Sequence, residues 1–276
     1  MPEIDIEQRL EQIRDAGAHP HRFRPLVALA RRILWPLIRP YHRRQLELAE
    51  DVTSTAAPGR TSYAQAGEDR VVAFVLERLG VPGKDVVYAD LGAAMPEGDS
   101  NTFLLYRNGG RGLLVEADPE YRAAYASLRP EDDVLSVAVV PERMRAEGTI
   151  RFHLCHDPGW NSVLREHVDE GAQLGKGGVR KTIVAETRTI NEVLERFAGR
   201  DLHLLSVDVE GLDAALIDEL DFDRIRPWIL IVEGVHENDG RLASVLSERG
   251  YEYYASTYIN SIWLDRPVLE RLKTRF

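Results

Sequence analysis

Apolar residues along this chain follow two rhythms, and the change between them divides it. At Leu26, Leu29, Ile33, Leu37 and Tyr41 they recur every three or four positions, a helical spacing that Pro36 and Pro40 interrupt. From Ser62 onward, short continuous apolar runs alternate with helix-period segments, which predicts a mostly parallel sheet with helices on both faces. The runs are Val86–Leu91, Leu113–Glu116, Leu135–Val140, Leu202–Val207, Ile229–Glu233, Tyr251–Ala255 and Ser261–Leu264, giving seven expected strands. Helices are expected at Glu68–Leu79, Pro119–Ser127, Ile190–Phe197, Leu212–Leu220 and Gly240–Arg249. Ile150–Leu154 and Thr182–Glu186 alternate like an inserted hairpin or a sheet extension. Only a short loop separates the last two strands, so they should run antiparallel.

Composition adds boundaries to this picture. With 276 residues and 44% hydrophobic content, the chain can bury one main core, assigned to an α/β domain over 61–276 that follows a basic helical arm and linker over 1–60. Forty-five acids against 35 bases give a net charge of -10, which excludes a general nucleic-acid binder. Yet seven arginines and no acid lie between His19 and Leu46, leaving about -17 for the remainder. The arm can pack on its own domain or on a second subunit, which makes a homo-oligomer the expectation. Alternatively, residues 19–46 rest on anionic lipid or an acidic partner, with Trp35 at the interface. Asp51–Arg60 reads as a linker. The stretch Pro25–Ile38 is broken by Arg31 and Arg32 and is too short for a bilayer span, and residues 1–18 lack the apolar run of a secretory signal. A cytoplasmic location, at most peripheral to the inner face of the membrane, is expected. Cys155 is the single cysteine, so no intrachain disulfide or multi-cysteine metal site can form.

In open α/β sheets, ligands bind beyond the carboxyl ends of the strands. The first run ends in Asp90-Leu91-Gly92, an acid followed by a glycine where a side chain would obstruct a ligand; no G-x-G-x-x-G follows, which disfavours a dinucleotide. Glu116, at the end of the second run, can accept both hydrogen bonds of a ribose diol, while Asp118 before Pro119 suits a helix cap. Asp208 and Glu210 follow the fourth run and Glu233 the fifth, with His236 just beyond. If the fourth strand persists, Asp208 and Glu210 share a face and can bind a cation, hold a hydroxyl or accept its proton.

Taken in order, these segments resemble the FkbM-type S-adenosylmethionine-dependent methyltransferases over roughly Ser62 to Leu264. The likeness rests on Ser62-Tyr-Ala-Gln65-Ala-Gly67-Glu68-Asp69, Asp90-Leu-Gly92, Ser100-Asn101-Thr102, Glu116-Ala117-Asp118-Pro119, Leu205-Ser206-Val-Asp208-Val-Glu210-Gly211 and Glu233. Ala94-Met95-Pro96 departs from the usually more polar loop, and residues 1–60 lie outside the family pattern. The resemblance implies a class I methyltransferase (Rossmann-like) α/β fold and methyl transfer to a hydroxyl of a sugar, glycan precursor or glycosylated natural product. It places the cofactor S-adenosylmethionine against Gln65, Glu68, Asp90, Gly92, Asn101, Glu116, Ala117 and Asp208.

Methyl transfer needs the acceptor oxygen held in line with the methyl carbon, and a base improves an alcohol nucleophile. Asp208 is the first choice for that role, His236 the second, and Glu210 stands beside them as a further catalytic candidate. Trp160 and Asn161, in the irregular loop Asp157–Ser162, and Glu233 are candidates for acceptor contact, although a tryptophan closing part of the core fits equally. Asp208, Glu210, Glu233 and His236 could also bind Mg²⁺, the less favoured reading. Two rival readings stand beside methyl transfer: a metal-dependent hydrolase on that quartet, and a non-catalytic adaptor that reaches membranes or partners through the arm.

Overall fold

The computed structural model describes residues 62–145, 147–234, 240–257 and 259–275. The basic arm, its linker and His236 lie outside them. In chain order the elements are α1 (Glu68–Leu79), β1 (Val87–Leu91), α2 (Phe103–Arg107), β2 (Arg111–Val115), α3 (Arg122–Leu128), β3 (Asp133–Leu135), β4 (Ala138–Val139), β5 (Thr149–Cys155) and α4 (Arg165–Gln173). There follow β6 (Val179–Arg188), α5 (Ile190–Leu194), β7 (Leu202–Val207), α6 (Asp213–Glu219), β8 (Pro227–Glu233), α7 (Gly240–Glu248), β9 (Tyr251–Ser256), β10 (Asn260–Asp265) and α8 (Arg266–Lys273).

Seven strands form the main sheet in the order β3-β2-β1-β7-β8-β10-β9. Strands β3 to β8 in that order are mutually parallel, and β10 runs antiparallel to both β8 and β9. The chain therefore builds outward from β1 in one direction, then returns to place β7 on its other side. That reversal is a topological switch point, where the helices on either side leave a crevice beyond the strand ends. In register, Ala89 lies between Leu113 of β2 and Leu205 of β7.

Period-2 alternation supplies both faces of the sheet from the same strands. Ala89, Leu91, Leu113, Val115, Leu205, Val207, Leu230 and Val232 are buried against α5, α6 and α7 through Leu194, Leu216 and Leu246. Tyr88, Leu114, Leu204, Ile229 and Ile231 are buried on the other side against Val72, Val75 and Leu76 of α1 and Leu272 of α8. Because both faces are covered, the strands carry nearly unbroken apolar runs.

Three expectations change. The run Leu135–Val140 is not one strand: β3 stops at Leu135, opposite the last residue of β2, and Ala138–Val139 pairs instead with Thr187–Arg188 of β6. The Glu116 N–H still donates to Leu135 O at 3.1 Å, and the pairing with β2 goes no further. The apolar residues that follow Leu135 stay buried, Val137 and Val140 included, so apolarity reported burial and not sheet membership. The inserted pair is neither a tight hairpin nor an extension of the main sheet: β5 and β6 pair antiparallel from Thr149–Glu186 to Cys155–Val179 across a connection that holds α4, and they join β4 in a separate three-stranded sheet. The expected helices at Pro119 and Ile190 each contain a 3-10 turn, at Pro119–Tyr121 and Glu195–Phe197. Among the described residues, no helix is long and apolar enough to cross a membrane.

Candidate active site

The neighbouring strands β2, β1, β7 and β8 bring Glu116, Asp90, Asp208 and Glu233 to one rim of the sheet. Asp90 is buried at the end of β1, and its Oδ2 accepts a 2.7 Å hydrogen bond from Thr102 Oγ1. Burial raises its proton affinity, against the pull of that hydroxyl. Gly92 follows with φ of 80°, and a Cβ there would stand 1.7 Å from the carbonyl oxygen of Asp208. The glycine is thus demanded by the backbone at the end of β7, and not by a ligand as the sequence suggested. The Asp208 N–H donates to Leu91 O at 2.9 Å, locking the two strand ends together.

Glu116 also works inside the protein. Its Oε2 accepts the Ala94 N–H at 2.9 Å and its Oε1 accepts the Asp118 N–H at 2.7 Å, so it ties the loop after β1 to the turn after β2. Each oxygen keeps a second acceptor site for a diol. Burial pushes its carboxyl up to about 7, despite both backbone donors. Asp118 caps the next turn through the Glu120 N–H at 2.9 Å, as expected. Ala117 packs partly buried against the core.

That carboxyl carries a pH signature. A group whose folded pKa lies above its unfolded value of 4.5 stabilises the fold below that value, and the contribution is lost as pH rises through about 7. The difference corresponds to about 3 kcal/mol. Glu116→Gln is expected to reduce the loss of stability between pH 4.5 and 7.5 by about this amount, measured by urea unfolding across the range. An unchanged pH slope in the variant would show that Glu116 is not the titrating group.

Asp208, Glu210 and Glu233 converge. One carboxylate oxygen from each lies within 4.8 Å of the others. A persistent strand does not bring them together, because β7 ends at Val207 and Glu210 adopts a left-handed φ of 56° in the turn. Asp213 fixes that turn by accepting the Val209 N–H at 2.8 Å and the Gly211 N–H at 3.2 Å, while Ser162 Oγ donates to Glu210 O at 2.8 Å. Burial first, then the charge of Glu233, raises the proton affinity of Asp208 and Glu210; burial also raises that of Glu233. Asp208 is partly exposed as a residue, yet its Oδ1 is sealed from solvent without a hydrogen-bond partner.

His167, on α4, was not anticipated. Its Nε2 lies 3.0 Å from Glu210 Oε2, and its ring stacks on Trp160 with centroids 4.8 Å apart. No sequence signal marked it, because α4 comes from the insert and meets the β7 turn only in three dimensions. Trp160 also lies flat over Gly171, where a Cβ would come within 2.5 Å of the indole. Asn161 Oδ1 accepts the Cys155 N–H at 2.7 Å. Both residues therefore brace the insert through contacts within the protein.

The remaining expected residues divide. Asn101 is buried and donates from Nδ2 to Ser206 Oγ at 3.1 Å, beside Asp90. Gln65 is exposed. Glu68 is fully buried and committed elsewhere: its Oε1 accepts from Thr257 Oγ1 and Asn260 Nδ2, and its Oε2 accepts the Ala66 N–H. Behind Asp90 lies a buried network that the sequence did not reveal. Arg129 pairs through Nε with Asp132 at 2.8 Å and donates to Tyr88 Oη, Thr102 Oγ1, Ser100 Oγ and Pro96 O.

The arrangement suits a cationic ligand with hydroxyls, since the acidic rim offers further acceptor sites at Glu116 and the converging, partly exposed carboxylates of Asp208, Glu210 and Glu233. Residues 85–253, more than half of the chain, match the model of the methyltransferase FkbM domain. No curated protein matches the chain. A DUF574 family protein from Streptomyces avermitilis is similar in structure at a TM-score of 0.33 and 12% identity, over 72% of this chain and 80% of that one. An O-methyltransferase from Bacillus cereus, solved in complex with SAH, is similar at a TM-score of 0.32 and 13% identity, over 79% and 87%.

Proposed function

The chain belongs to the FkbM methyltransferase family, and from that premise we propose that it uses S-adenosylmethionine to methylate a hydroxyl of a sugar, glycan precursor or glycosylated natural product. The observation supporting an oxygen acceptor is the partly exposed carboxylate trio Asp208, Glu210 and Glu233: a hydroxyl has a proton to give up, and these groups bring oxygens within 4.8 Å of one another to receive it. The bound donor supplies a methyl group already activated on a cationic sulfur. Glu116 and the Asp90–Thr102–Asn101 cluster hold the donor, and Asp208 orients the acceptor hydroxyl and takes up its proton. A carboxylate whose proton affinity burial has raised suits that uptake near neutral pH. Glu233 and Glu210 offer further oxygen acceptors to a hydroxyl-rich substrate.

Isothermal titration with S-adenosylmethionine and its demethylated product is expected to show one site per chain. Mass spectrometry of sugar acceptors incubated with labelled donor should then show the gain of one methyl group. Absence of donor binding would remove the proposal, whereas donor binding with methylation only of nitrogen or carbon acceptors would remove its hydroxyl specificity.

A further inference from the structure

We propose that the carboxylates of Asp208, Glu210 and Glu233 form a binding site for one divalent cation of the Mg²⁺ or Mn²⁺ class. Three like-charged groups whose oxygens lie within 4.8 Å of one another repel unless something positive stands between them. A second observation goes beyond the cluster itself. Asp208 Oδ1 is closed off from solvent and receives no hydrogen bond, and a buried carboxylate oxygen in that condition needs a cation or a proton. It belongs to the same carboxylate group that supplies an oxygen to the cluster, so one side chain carries both observations. His167 Nε2 lies 3.0 Å from one oxygen of Glu210 without forming a hydrogen bond to it, and the Glu210 carboxylate has another oxygen to offer an ion.

The donor set selects the ion. It is all oxygen and all carboxylate, without thiolate, which favours hard cations over zinc or copper. Three protein oxygens leave about three positions of an octahedral ion to water or to oxygens of an acceptor. The turn is already braced for this: Asp213 and Ser162 fix the backbone between Asp208 and Gly211. The inference deepens the proposed function, because with an ion present Asp208 orients the acceptor hydroxyl through it. Cation binding can nevertheless be read without the methyl donor, so the two proposals fail separately.

The test uses the full chain, free of donor, titrated with Mn²⁺ and followed by the loss of the free-ion electron paramagnetic resonance signal. One saturable site tighter than about 1 mM, from which Mg²⁺ displaces Mn²⁺, is expected. Glu233→Gln and Glu210→Gln, each checked for native circular dichroism, should weaken it by about tenfold or more. Glu120→Gln, which removes an exposed acid paired with Arg180, should leave it unchanged. No saturable binding by the wild-type chain overturns the inference whatever the variants do. So does unchanged affinity in a folded Glu233→Gln protein.

Discussion

Asp208→Asn is expected to slow methyl transfer by about 10²–10⁴-fold while making the protein more stable. The two effects have one source. Asparagine keeps the shape of the side chain but removes its charge, and with it the basicity needed to take up the proton of the acceptor hydroxyl. The same charge opposes folding, since burial and the neighbouring Glu233, Glu210 and Asp213 all disfavour the ionised form. Relieving an unpartnered buried acceptor of its charge should add about 1–3 kcal/mol. Single-turnover rates at saturating donor separate chemistry from donor affinity, and thermal unfolding at pH 8 with a chelator present, so that no cation compensates the charge, reads the stability. A rate within a few-fold of wild type would remove Asp208 from the reaction. A fall in stability would mean that its charge is already compensated.

Arg129→Met should destabilise the domain by about 3–5 kcal/mol, the range for breaking a buried ion pair by removing one partner. For a domain of this size that corresponds to a fall in Tm of roughly 6–20 °C. Neither Arg129 nor Asp132 exposes any of its side chain. Without the guanidinium, Asp132 remains buried and charged, held only by Tyr88 Oη at 2.7–2.8 Å and the Gly112 N–H at 2.8 Å. Lysine cannot replace the fork, because Arg129 reaches Asp132, Tyr88, Thr102, Ser100 and Pro96 from three nitrogens. Thr102 in turn holds Asp90, so Arg129→Lys should also weaken donor binding. Adding Asp132→Asn to Arg129→Met should recover part of the loss, the signature of coupled partners. A loss below about 1 kcal/mol in the single variant would show that water enters and solvates Asp132.

The sequence disclosed the strands whose burial is continuous, from Val87–Leu91 to Asn260–Asp265, because a two-sided core leaves unbroken apolar runs. It also disclosed which acids sit at strand ends. It could not disclose their partners. Gly92 was marked by its type, but the carbonyl of Asp208 that demands it is 116 positions away in the chain. Glu116 stood out as an acid in the right place, yet its hold on the Ala94 and Asp118 amides depends on loop paths that carry no periodic signal. Arg129 and Asp132 look like a solvated pair at helical spacing until the fold buries them. His167 and Glu210 meet because the insert folds back over the β7 turn, and neither spacing nor composition encodes that return.

Glu68 links distant parts of the chain. The residues it clasps, Thr257 and Asn260, follow it by 189 and 192 positions. At a ribosomal rate of about 5–20 residues per second, the entry segment emerges on the order of 10–40 s before the hairpin that completes it. The nascent domain therefore waits with the amino end of α1 incompletely fastened, the Oε1 of Glu68 left to water until the Thr257–Asn260 turn has been made.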